Sequence, residues 1–139
     1  MRRIAFVVAA ALIASAALAA CDPLPPDDHP SAPAVVTFEV ADTQSYKIRL
    51  DSQELVDHVV ELMDGGETGR IPNGRVVRDG DGGVNAPWSW HIDPASLEFA
   101  DATTEVCDGL PEYVEDGTIT SEWYCPWSAV PTELVELDD

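Results

Sequence analysis

Apolar and polar residues alternate with a period of two twice in succession near residue 35, and then the period lengthens to that of a helix. In residues 35–40 Val36, Phe38 and Val40 share one face, and in residues 46–50 Tyr46, Ile48 and Leu50 alternate with Lys47 and Arg49, which point the other way. The five residues between them are short enough for an antiparallel hairpin. A helix comes next, with Asp51 as its N-cap, Glu54 three residues on as in a capping box, and Gly65-Gly66 as its stop. Along it Leu55, Val56, Val59, Val60, Leu62 and Met63 fall within an arc of roughly 160°, while Glu54, Asp57, His58, Glu61 and Asp64 occupy the remainder. That apolar arc is expected to pack on a sheet, and His58 at its edge is expected to face water.

Beyond residue 66 the pattern breaks into shorter pieces. Glycine-rich turns lead to a short strand at 75–78 and then to the loop Asp79-Gly80-Asp81-Gly82-Gly83-Val84-Asn85. A strand over 88–93 would place Trp88, Trp90 and Ile92 on one side and Ser89, His91 and Asp93 on the other. Leu97 and Phe99 share a face in a further short strand, 103–107 reads as another, 110–116 as one helical turn, and 130–137 as a terminal strand. The sum is an α+β domain: a mostly antiparallel sheet with one principal amphipathic helix packed on it, and one disulfide.

The first 33 residues follow a different logic. Arg2-Arg3, an Ala-rich apolar run and small residues ending in Leu18-Ala19-Ala20-Cys21 form an export signal over residues 1–20. Its ending resembles the bacterial lipobox, which implies that Cys21 is lipidated, becomes the mature N-terminus and anchors the protein to a membrane. Cleavage by the ordinary signal peptidase would instead leave Cys21 as a free thiol, and a retained membrane helix would be short for a bilayer. Residues 21–33, with Pro23, Pro25, Pro26, Pro30 and Pro33, read as an extended tether, and His29 within it reads as a solvated linker residue. A single domain then occupies 34–139. Once Cys21 carries lipid, Cys107 and Cys125 remain to pair in an oxidising compartment; the competing two-cysteine metal site lacks a C-x-x-C pair.

Charge narrows the choice of partner. Without Arg2 and Arg3 the mature chain holds five Lys and Arg against 26 Asp and Glu, a net charge of −21. That excludes ordinary nucleic-acid binding, which needs a basic footprint, and argues against adsorption to anionic lipid through protein charge. The chain has no G-x-S-x-G, H-E-x-x-H, Walker A or G-x-G-x-x-G motif.

Three weaker constellations remain. Asp79, Asp81 and Asn85 offer oxygen ligands that suit Ca²⁺, although 79–90 departs from an EF-hand at Gly83, Val84 and Trp90, and a glycine-rich turn explains the same residues. His91 between Ser89 and Asp93 suggests an enzyme, but side chains two apart on a strand do not easily form a relay. Trp88, Trp90, His91 and Asp93 would form an aromatic and acidic contact surface, against the competing reading of the tryptophans as core.

The blocks Trp88-Ser89-Trp90-His91-Ile92-Asp93-Pro94, Phe99-Ala100-Asp101, Glu105-Val106-Cys107-Asp108-Gly109, Tyr113-Val114-Glu115 and Tyr124-Cys125-Pro126-Trp127-Ser128 carry a resemblance. In this order they are similar to a small domain family, widespread in bacterial exported proteins, that is labelled by its similarity to the N-terminal domain of a eukaryotic calmodulin-binding protein. Ala129-Val130-Pro131 stands where members of that family tend to have an Arg, so no role for that Arg transfers. Calmodulin itself is not an expected partner, because its targets are basic amphipathic helices and the 51–64 helix is acidic. The expected function is a lipid-anchored, extracytoplasmic, non-enzymatic binding module of the bacterial envelope, contacting an envelope protein or ligand and needing no cofactor. The other readings are a calcium module built on the 79–85 loop and an enzyme centred on His91.

Overall fold

The computed structural model describes residues 28–138, so residues 1–20, expected to be an export signal, together with Cys21 and the first part of the proline-rich stretch, lie outside the described residues. Among the described residues no helix is long and apolar enough to cross a membrane. The fold is mixed, with antiparallel sheets, one main helix and a Cys107–Cys125 disulfide.

The hairpin expected from the period-two pattern is present. β1 (Ala34–Val40) and β2 (Gln44–Leu50) pair antiparallel from Ala34↔Leu50 to Val40↔Gln44. Ala34, Val36, Phe38 and Val40 from one strand and Tyr46, Ile48 and Leu50 from the other are all buried. The Thr43 N–H donates to the Val40 carbonyl, and the two residues inside that turn, Ala41 and Asp42, have φ of 52° and 54°. Two successive positive φ values give the twist that tight hairpins prefer.

α1 (Gln53–Met63) starts one residue later than the sequence pattern suggests. Ser52, not Asp51, is the N-cap, and its hydroxyl accepts the Leu55 N–H at 3.3 Å. Asp51 is held instead by Arg49, whose Nε lies 2.6 Å from Oδ1, so the capping box with Glu54 does not form. The stop is at Gly65-Gly66 as expected: Gly65 takes φ +97°, and the Gly66 and Gly65 N–H groups reach back to the carbonyls of Glu61 and Leu62, a Schellman closure. Val56, Val59 and Leu62 are buried, whereas Met63 at the end of the apolar arc is 43% exposed.

β3 (Ile71–Val77) is longer than the 75–78 segment, because pairing along its length overrides the weak strand propensity of Pro72 and Gly74. The expected strand over 88–93 shrinks to β4 (His91–Ile92), which pairs with Val77 and Val76. A single 3₁₀ turn at Pro94–Ser96, capped by Asp93, then leads into β5 (Glu98–Ala100), which pairs with Ile71, Pro72 and Asn73. At the interruption the Arg75 N–H donates to Ser96 Oγ and the Asp93 N–H donates to the Arg75 carbonyl, so no β3 group is orphaned there.

Residues 103–107 are not a strand. Glu105–Cys107 form a 3₁₀ turn, followed by the short α2 (Pro111–Glu115) and by β6 (Trp123–Tyr124) on Gly74 and Arg75. β7 (Ala129–Glu136) returns to the first sheet, pairs with β1, and sets the order β2-β1-β7.

One buried cluster joins β1 and β2 to Val56 and Val59 of α1, to Trp90, Ile92 and Leu97, and to Val114, Ile119 and Tyr124. Aromatic rings form its centre: Tyr46 lies 5.8 Å from Trp90 and 5.1 Å from Tyr124, and Trp90 lies 5.4 Å from Tyr124 with the planes near perpendicular. Burial raises the Tyr46 phenol far above its ordinary pKa and does the same for Tyr124, where the Asp108 carboxylate adds to the effect. Both are neutral phenols at any physiological pH.

Candidate functional site

The aromatic segment that promised a contact surface is largely internal. Trp90 is 1% exposed and belongs to the core, which corrects its expected place on the surface. The physical reason is that Trp90 faces the same way as Ile92, into one buried cluster against which Trp88 also packs, so the apolar side of the 88–93 alternation is the core side. Trp88 is half-buried, and its indole N–H donates to the Ser45 carbonyl at 2.9 Å.

Asn85 sits beside it and is completely buried. Its Oδ1 accepts the Lys47 N–H at 2.7 Å and its Nδ2 donates to the Trp90 carbonyl at 2.8 Å. Asn85 and Trp88 thus cover the side of β2 that no strand pairs, the kind of protection that sheet edges need. Replacing Asn85 by Ala strips the partner from a β2 amide and from a buried carbonyl, and we expect a loss of about 2 kcal/mol in urea unfolding; a change under half of that would show that water replaces the amide without cost.

In the same loop Asp81 closes its own turn, its Oδ1 accepting the Gly83 N–H at 2.8 Å, while Asp79 is exposed. Asn85 therefore turns inward with both ends of its amide engaged, away from the role of an oxygen ligand beside Asp79 and Asp81. Among the described residues no group of three or more His, Cys, Asp or Glu side chains is placed to hold a metal ion.

His91 is not joined to the residues that flank it in sequence. Its Nδ1 donates to the Gly80 carbonyl at 2.8 Å, Asp93 Oδ1 accepts the Ala95 N–H, and Ser89 Oγ donates to Glu115 Oε1 at 2.6 Å. Ser89, His91 and Asp93 thus each bond a different partner and not one another.

The structure instead brings together residues that the sequence reading kept apart. A groove of about 960 Å³ runs between α1 and the 94–99 segment. One wall is the polar face of α1, with Glu54, Asp57 and Glu61; the other carries Pro94, Ala95 and Glu98; Leu55, Leu97 and Phe99 contribute apolar surface between them. Asp51 and Ser52, just before α1, also line it. The α1 acids lie at i, i+3 and i+7, one stripe of a helix.

His58 is half-buried at this groove rather than solvated. Its Nε2 donates to the Gly69 carbonyl at 2.8 Å, and its ring lies 4.6 Å from that of Phe99. A neutral His58 therefore carries its proton on Nε2 and its lone pair on Nδ1.

Asp57 is tied to the chain that enters the domain. Gln53 Nε2 and His29 Nε2 lie 2.7 and 2.8 Å from its Oδ1, and these bonds, Gln53 first, hold its carboxyl below the ordinary carboxylate range. Gln53 also donates to the Pro30 carbonyl and accepts the Ala32 N–H, and the Ser31 N–H donates to Glu136. The last residues of the stretch read as tether are thus fastened to the domain, and His29 has a definite partner. A proline-rich segment leaves its backbone groups unpaired, and the Gln53 amide is placed to satisfy two of them.

The stripe of acids on α1 was visible in the sequence, whereas its opposing wall was not, since 94–99 is brought to α1 through the pairing of β5 with β3. No match was found among curated proteins or among solved structures. The sequence model of one family, described as the BP-74 N-terminal domain, matches residues 32–138. That span holds all the aromatic and cysteine blocks from Trp88 to Ser128, and the chain belongs to this family of N-terminal domains.

Proposed function

We propose that this protein is a non-enzymatic binding module, held on the outer side of a bacterial membrane by lipid on Cys21, whose contact surface is the groove between α1 and residues 94–99. The observation that carries the reading is the groove itself: concave, open, rimmed by carboxylates and with apolar surface between its walls. Binding sites generally combine a concave apolar surface with a few placed polar groups. The buried disulfide supports an oxidising compartment, in line with the lipobox-like Leu18-Ala19-Ala20-Cys21. We also read α1 as packed across the β2-β1-β7 sheet, because Val56 and Val59 share one buried cluster with Val36, Phe38 and Ile48. Such packing gives the wall a fixed geometry.

The test uses the full chain in its native envelope. A photoreactive residue at Ala95, on the groove wall, is expected to give a discrete adduct, whereas the same residue at Val106, exposed but outside the groove, is not. Absence of an adduct at Ala95, or the same adduct from both positions, would overturn the groove as the contact surface. The parent is expected to incorporate a labelled fatty acid and Cys21→Ala to incorporate none; a parent that takes up no label would sink the lipid anchor.

A further inference from the structure

We infer that the groove receives a basic amphipathic helix supplied by another protein. The inference rests on the groove being the contact surface proposed above, and goes beyond it by fixing the chemistry of the occupant.

The argument begins with charge. Asp51, Glu54, Asp57, Glu61 and Glu98 all line the groove, and no Lys or Arg does. Arg49 is committed to Asp51 and Asp57 is bonded to Gln53 and His29, so Glu54, Glu61 and Glu98 carry the charge left for a partner. An acidic partner would be repelled, and an uncharged apolar one would desolvate carboxylates without pairing them. The formal charge of −19 over the whole chain adds a long-range field that attracts cations and speeds their encounter.

Spacing then chooses between shapes. Glu54, Asp57 and Glu61 are separated by three and four residues on α1, a rise of about 4.5 and 6 Å at 1.5 Å per residue. A second helix with cations at i, i+3 or i+4, and i+7 repeats those intervals. An extended peptide presents side chains to one face only every ~6.7 Å and falls out of step. The apolar strip of Leu55, Leu97 and Phe99 gives such a helix a place for its aliphatic residues, which a plain polycation lacks.

A second copy of this chain does not supply the occupant among the described residues. α1 and α2 carry acids and no Lys or Arg, and Lys47, Arg49 and Arg75 lie on strands.

The experiment places the full chain in phosphatidylcholine nanodiscs, with empty discs subtracted, and titrates three labelled probes by fluorescence anisotropy. They are a 14-residue helix with Lys at i, i+4 and i+7 beside a Leu face, the same helix with Glu for Lys, and oligolysine of equal charge. The basic helix is expected to bind at least tenfold more tightly than either control and to weaken as salt is raised. Glu54→Gln, Glu61→Gln and Glu98→Gln together are expected to weaken it tenfold or more. Glu112→Gln with Glu122→Gln, exposed acids outside the groove, should leave it unchanged, and all variants should melt close to the parent.

Oligolysine binding as tightly as the helix, equal losses from both sets of variants, or no binding of the helix would each overturn the inference. An adduct at Ala95 combined with no binding of the basic helix would leave the binding-module reading standing and remove this occupant. Groove-dependent binding of the helix without any adduct in the envelope would overturn the contact surface proposed above, and with it the inference that rests on that surface.

Discussion

Replacing Trp90 by alanine will cost this domain about 3–5 kcal/mol of stability, the range for removing a large aromatic side chain from a packed core. The residue is 1% exposed and its ring meets both Tyr46 and Tyr124, so the hole opens at the centre of the aromatic cluster, where two sheets and α1 contribute side chains. For a domain of this size the loss lowers the melting temperature by roughly 15 °C. Two companions make the result specific. Trp127→Ala, at a position 44% exposed, should cost under about 1 kcal/mol. Trp90→Phe keeps most of the volume and removes an indole N–H that has no partner among the described residues, so it should cost under about 1.5 kcal/mol. Urea unfolding of the three variants decides the matter, and a Trp90→Ala loss below 1 kcal/mol would return that ring to the surface.

Opening the Cys107–Cys125 bridge is expected to cost about 3 kcal/mol, because it frees a loop whose ends are 18 residues apart in sequence. The effect reaches beyond the two sulfurs. The bridge fixes the 3₁₀ turn at Glu105–Cys107 to the end of β6, the Cys125 N–H donates to the Cys107 carbonyl, and the neighbouring Tyr124 hydroxyl donates to the Gly109 carbonyl within the closed loop. Loosening that loop therefore reaches Tyr124, a member of the central aromatic cluster. The double variant Cys107→Ala with Cys125→Ala should melt lower than the parent, and the parent unfolded and refolded under reductant should match it. Both sulfurs are buried, so reductant added to the native protein should act slowly. A double variant within 1 kcal/mol of the parent would show that tertiary packing holds this loop without the bridge.

Local spacing in the sequence determined the parts whose chemistry is settled by neighbours. The β1 and β2 hairpin follows from alternation of apolar residues across a five-residue turn, and the body and stop of α1 follow from a 3.6-residue period that ends at two glycines. The cysteine pairing follows once Cys21 is set aside, and the family follows from ordered blocks between Trp88 and Ser128. The errors have one physical origin. An N-cap at Asp51 is locally as good as one at Ser52, and the choice went to Ser52 while Arg49 holds the Asp51 carboxylate. Strand alternation over 88–93 is locally plausible, yet Asn85 and Trp88 hold this segment against the edge of β2 as a turn, and that contact spans about 40 positions of sequence. Pro72 and Gly74 discourage a strand by themselves, and pairing with β5 and β6 outweighs them.

The candidate site shows the same division. The acid stripe of α1 is a property of one segment, and the sequence alone determined it. The groove exists because 94–99 is carried to α1 by pairing with β3, and because His58 wedges between Gly69 and Phe99. A concave site needs two walls, and only the tertiary structure could decide which distant segment forms the second, since that choice is made by side chains buried jointly across the whole chain and not by any short window of it.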